Sequence, residues 1–125
     1  VQIVVENCAE FRECRSTPPE GRGPFRRRRF AQVSQVVLTG FLRCRTLEEA
    51  DRVSLLLPEH VRLTRAEAGC LSFEVFRSMA DPGCFAVREV FRDRAAFEAH
   101  QRRAAGSLWG RATRGIPRDY RIAGL

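Results

Sequence analysis

The sequence predicts an α+β fold of the ferredoxin-like kind, a β-α-β-β-α-β sandwich built on an antiparallel sheet. Three observations lead there. Two segments follow a period of two, Leu71-Phe73-Val75 and Phe85-Val87-Glu89-Phe91, apolar at each of these positions except Glu89, as half-buried strands do. Two others repeat them at helical spacing behind a capping residue, as amphipathic helices do. Their order along the chain, with one further strand before and one after, gives a split pair of βαβ units.

Each element has its own signal. Residues 33–44 are β-branched and apolar, long enough for one strand buried on much of both faces. Thr46-Leu47-Glu48-Glu49 fits a capping box, in which the Thr46 hydroxyl accepts from a backbone N–H and Glu49 reaches back. From there Leu47, Ala50, Val53, Leu57 and Val61 form an apolar helical stripe. Pro58 is expected to kink this helix, because its ring crowds the carbonyl of Ser54, and Gly69 is placed to end it.

A strand through Leu71, Phe73 and Val75 follows, then a turn at Asp81-Pro82-Gly83. The next strand, Cys84 to Phe91, puts Phe85, Val87, Glu89 and Phe91 on one face. Asp93 can cap a second helix containing Ala96, Phe97 and His100. A short helical stretch holds Leu108 and Trp109, Gly115-Ile116-Pro117 breaks it, and Asp119-Tyr120-Arg121-Ile122 reads as the last strand.

Two regions differ in character. Residues 33–125 carry the periodic patterns and form the expected domain. Residues 1–32 open with a short apolar run, then turn to Pro and Gly and end in the block Arg26-Arg27-Arg28-Arg29. They read as an extension outside the fold, since breakers at this density prevent regular pairing.

The 125-residue chain has 22 basic and 15 acidic residues, a net charge of +7, and every basic residue is Arg. A basic block can bind nucleic acid. Here no aromatic ladder or recognised motif accompanies it, so nucleic acid is not an expected partner. No apolar run approaches the roughly 20 residues of a membrane helix, and no secretory leader is legible, so the cytoplasm is the expected compartment. The five cysteines contain no C-x-x-C pair. They read as free thiols rather than a zinc site or disulfide framework.

Two blocks narrow the fold to a family. Residues 60–74 begin His60-Val61-Arg62 and end Cys70-Leu71-Ser72-Phe73-Glu74; residues 85–93 run from Phe85 to Asp93 and continue to Ala96-Phe97 and His100. Together they resemble the antibiotic biosynthesis monooxygenase domain, whose members include quinol monooxygenases. The tail Ser107-Leu108-Trp109-Gly110 with Thr113 and Tyr120 is similar to one bacterial subgroup. The resemblance implies a homodimer whose two sheets form a dimeric α+β barrel, with a pocket between sheet and helices in each subunit. It also implies oxidation of a small aromatic or phenolic substrate, a quinol or anthrone, by O2 without flavin, haem or metal cofactor. An electron-rich enolate or phenolate can itself reduce oxygen, so the protein binds the acid, takes its proton and shields the anion from water.

Within that frame His60, His100 and Glu89 are the candidate catalytic residues. The histidines titrate near neutrality, and Glu89 sits on an otherwise apolar strand face where an unpaired carboxylate is costly; its expected role is to orient one of the histidines. Phe73, Phe91, Trp109 and Arg65 are candidate substrate-binding residues. Arg65 can also satisfy helix-terminal carbonyls and Glu67 can meet an arginine, both structural roles. Alternatives are a non-catalytic barrel that binds an aromatic ligand, and an isomerase or degradative enzyme for a small autoinducer-type metabolite. That last branch continues with a His-Tyr pair where this chain has Leu108-Trp109. The haem-degrading branch needs an Asn where Gly40 stands.

Overall fold

A computed structural model describes residues 34–125 and the backbone of a short strand, β1 (Ile3–Val5). The Pro- and Gly-rich stretch and the Arg26–Arg29 block lie outside the described residues. The elements that follow are β2 (Val36–Arg43), α1 (Leu47–Arg65), β3 (Cys70–Ser78), β4 (Cys84–Phe91), α2 (Arg94–Gly106), α3 (Leu108–Thr113) and β5 (Arg118–Ala123). Strands β3, β4, β2 and β5 lie side by side in that order, each pair antiparallel. With α1 and α2 this is the expected β-α-β-β-α-β arrangement. Strand β1 runs parallel to the end of β3, with Ile3 opposite Phe76.

The helix starts follow their capping residues. Thr46 Oγ1 accepts from the Glu49 N–H at 3.0 Å, and Glu49 reaches back to the Arg45 N–H at 2.9 Å and to the Arg45 guanidinium. Asp93 Oδ1 accepts from the Ala96 N–H at 2.8 Å. The end of α1 departs from expectation. The helix runs through Pro58 to Arg65 and is capped by Ala66 in right-handed conformation. Gly69 instead lets the following turn lie against α2, where a Cβ would stand 2.2 Å from that of Ala96.

The buried row of α1 also departs from the apolar stripe. Leu47 is 61% exposed, while Ala50, Val53, His60 and Thr64 are buried. A row drifts around a 3.6-residue helix, so over four turns it leaves Val61 and reaches His60. Two polar side chains thus enter the core between α1 and the sheet. That core is a cluster of Leu42, Ala50, Val53, Phe85 and Ile116 beside a second of Val36, Leu38, Val87, Phe91 and Phe97.

Strand β4, central in the sheet, buries both faces: Phe85, Val87, Glu89 and Phe91 toward the helices, Cys84, Ala86 and Val90 away from them. Gly40 in β2 has φ +149°, and a Cβ there would meet the Asp119 carbonyl oxygen at 2.0 Å. Only glycine lets β5 approach β2 at this point, which sets Tyr120 opposite Gly40. Cys44 and Cys70 are free thiols. Cys84 is disulfide-bonded, which corrects the free-thiol expectation there.

Candidate functional site

The helix-facing row of β4 carries one charged residue, Glu89. It is 6% exposed, and its Oε2 has no hydrogen-bond partner among the described residues. Burial, reinforced by the nearby Glu67 carboxylate and offset in part by Arg118, pushes its pKa up to about 7. Directly above, α1 presents His60 and α2 presents His100, each on the same helical row as its neighbouring core residues.

His100 is held on every side. Its ring lies over Phe91 with centroids 4.8 Å apart and stands 5.9 Å from Phe73 and from His60. Nδ1 is 3.1 Å from both Glu67 oxygens, and Nε2 faces Glu89 Oε2 across 3.8 Å. The same Glu67 accepts from Arg103 Nε, and Arg103 donates to the buried Thr64 hydroxyl at 3.0 Å. Burial lowers the pKa of His100, against the raising effect of Glu67, so the ring is neutral near pH 7.

His60 is a different kind of histidine. Trp109 stacks flat on it, 4.4 Å between centroids and 4° between planes, and Phe73 meets it edge-on at 5.3 Å. Its Nδ1 is buried without a hydrogen-bond partner among the described residues. Desolvation, then the positive charges that His100, Arg103 and Arg118 can carry, lower its pKa to about 3. Trp109 reaches this position because α3 folds back onto the end of α2. Ser107 Oγ accepts from the Gly110 N–H at 3.2 Å, and a Cβ at Gly110 would stand 2.0 Å from the Ala104 carbonyl oxygen.

These groups surround a cavity of about 420 Å³. His60, His100, Glu89, Phe73 and Trp109 all line it, so five of the seven residues singled out in the sequence converge on one space. Phe91 lies behind the His100 ring. Arg65 faces a different cavity of about 440 Å³ between α1 and β3, where it donates to the Phe73 carbonyl at 2.9 Å. Both buried orphan atoms among the described residues, His60 Nδ1 and Glu89 Oε2, belong to residues of the first cavity, and this selects it as the candidate site. Tyr120 and Arg114 also border it. Among the described residues no group of His, Cys, Asp or Glu is placed to hold a metal ion, and no helix is long and apolar enough to cross a membrane.

Sequence reasoning missed the role of Glu67. It expected an arginine partner, and Arg103 is that partner, but the bond to His100 spans 33 positions and no local pattern announces it. Tyr120 is absent from the candidate site residues of the sequence, yet it lines the cavity with Ile122; their alternation on β5 is the signal that both point toward one face.

The arrangement combines a neutral imidazole oriented by a carboxylate, a second carboxyl that titrates near neutrality, and aromatic walls. It can take a proton from a planar acid and keep water from the anion.

The chain matches the family model described as antibiotic biosynthesis monooxygenase over residues 46–106, which run from the cap of α1 to the end of α2. No curated protein matches. Among solved structures, Rv0793 from Mycobacterium tuberculosis is 25% identical, covering 74% of this chain and 95% of its own, with a TM-score of 0.57. PA3566 from Pseudomonas aeruginosa is 27% identical over 74% of this chain and 92% of its own, also at 0.57. A Deinococcus radiodurans protein whose name marks it as a candidate antibiotic biosynthesis monooxygenase shares the fold at 23% identity and a TM-score of 0.59, covering 72% and 91% of the two chains. Family match, strand order and fold likeness agree, and over residues 46–106 this chain is similar to the antibiotic biosynthesis monooxygenase family.

Proposed function

We propose that the domain is a cofactor-independent monooxygenase that oxidises a small quinol- or anthrone-like phenol with O2. The observation that carries this reading is a pair of buried polar atoms with no hydrogen-bond partner among the described residues, His60 Nδ1 and Glu89 Oε2, in residues of an aromatic-walled cavity. Buried polar groups are normally satisfied, so the pair calls for a ligand that brings its own hydrogen-bonding oxygens on a flat ring.

The chemistry follows from the groups present. His100 Nε2 accepts the acidic proton of the bound ring, the role that suits an imidazole neutral at working pH. Glu89, close to half-protonated near pH 7, holds the oxygen on which negative charge develops. Trp109, Phe73 and Phe97 cover the ring and exclude water, which strengthens those contacts. The carbanion or phenolate then passes electrons to O2. For an anthrone, the ring methylene becomes a carbonyl, one oxygen atom enters the product and the other leaves as water. All four electrons come from the substrate.

The homodimer is part of the proposal. The outer edge of β5 has no strand partner among the described residues, and Ile122 on it is 44% exposed. An open, partly apolar edge is a surface that a second copy would cover.

The test is isotopic. With 18O2 and protein stripped of metal and flavin, the quinone product should carry one labelled oxygen above the enzyme-free background. Product labelled from water instead, or no product above background, would overturn the reading.

A further inference from the structure

We infer that Glu67 is a positioning residue for this site: clamped by Arg103, it fixes His100 in the tautomer that keeps its proton on Nδ1 and turns a bare Nε2 toward the cavity. The inference rests on the functional reading above only for what His100 does next; the tautomer itself is a property of the protein alone.

The geometry leaves little choice. Both Glu67 oxygens lie 3.1 Å from Nδ1, and a carboxylate only accepts, so the imidazole must donate from that nitrogen. The opposite nitrogen is then the acceptor. The ring cannot readily turn over to exchange the two. It is 3% exposed, lies on Phe91, and has Phe73 and His60 beside it.

Glu67 is itself fixed, since it accepts from Arg103 Nε while Thr64, fully buried, anchors the far side of that guanidinium at 3.0 Å. Arg103 comes from α2 and Thr64 from α1, with Glu67 in the turn after α1. The clamp therefore ties together the two helices that supply the histidines.

The consequence is a two-point seat for one substrate hydroxyl. Nε2 and Glu89 Oε2 are 3.8 Å apart, too far for a hydrogen bond with each other. An oxygen about 2.8 Å from each, an ordinary hydrogen-bond length, completes the triangle. When its proton moves to Nε2, the ring becomes an imidazolium whose other N–H already points at a carboxylate, which stabilises the charged form. The charged and titratable groups facing His100 are Glu67 after α1, His60 from α1, Glu89 from β4 and Arg103 on α2. Among the described residues, Glu67 is the one of these in hydrogen-bond contact.

The full chain contains two histidines, so nitrogen-15 NMR of histidine-labelled protein resolves each ring, with His60→Ala assigning them. In ligand-free wild type His100 should show a protonated Nδ1 and an unprotonated Nε2. In Glu67→Gln its pKa should fall by about one unit or more, a tenfold change in proton affinity, and Glu67→Asp should recover part of it. In turnover, Glu67→Gln should lower kcat about ten- to hundredfold with KM little changed, and move the acid limb of the pH profile to lower pH. A wild-type His100 protonated on Nε2, or a His100 pKa equal in wild type and Glu67→Gln, would overturn the inference. Should Glu67→Gln not fold, the wild-type tautomer and the Glu67→Asp titration decide. Absence of turnover in every protein, with the tautomer as stated, would count against the oxygenase and leave the positioning role standing.

Discussion

The indole of Trp109 lies parallel to the imidazole of His60 at 4.4 Å, so the wall of the cavity is an aromatic stack that a flat ligand can extend or replace. Trp109 is the only tryptophan in the chain, and its emission reports on this wall alone. Anaerobic addition of a reduced quinol should produce a saturable change in emission, absent in Trp109→Phe. Trp109→Ala should also cost about 2 kcal/mol of stability in urea unfolding, below the roughly 3–5 kcal/mol of a fully buried aromatic, because the indole is half-buried.

Glu89 ties stability to pH. Its native pKa of about 7 lies above the unfolded value of 4.5, so between those pH values the native state holds a proton that the unfolded state has lost. Stability from this group is complete below pH 4.5 and is lost as pH rises to about 7. Glu89→Gln removes the dependence. The variant should therefore gain stability relative to wild type across that window, by up to about 3 kcal/mol at roughly 1.4 kcal/mol per unit, and level off above it. Parallel urea titrations at pH 4.5, 6 and 7.5 measure this; a constant difference would contradict it.

His60 acts in the opposite direction. Its native pKa of about 3 lies below the unfolded 6.5, so the unfolded state binds the extra proton as pH falls. Wild type should lose stability from pH 6.5 downward relative to His60→Gln, whose side chain does not titrate. The same urea series, extended to pH 3.5, checks the sign.

Gly110 holds the α2–α3 junction closed. Gly110→Ala should destabilise by about 1–3 kcal/mol, since the new methyl meets the Ala104 carbonyl and well-packed sites resist added volume. It should also shift Trp109 emission to longer wavelength by releasing the indole to water. Unchanged emission would show that the junction does not set the stack.

Much of the fold was legible because its signals are local. The caps at Thr46 and Asp93, the alternation in β4 and the turn at Asp81–Gly83 each lie within a few residues. What was not legible depends on distant partners. His60 entered the core through the drift of α1 rather than through an apolar pattern, Gly69 serves a contact with Ala96, and Glu67 meets His100 only in three dimensions. Arg65 and His60 lie on one helix, yet they face different cavities, a distinction of helical angle that residue type does not carry.

Oxidation is proposed for the cavity between His60, His100 and Glu89. O2 uptake tests it most directly, measured with metal and flavin removed over a panel of reduced quinols and anthrones. Wild type would run beside folded His60→Ala and His100→Ala, with autoxidation subtracted. Uptake by wild type is expected, with a loss of about a hundredfold or more in His100→Ala, the scale of general-base catalysis. Uptake at background, or equal in all three proteins, would contradict it.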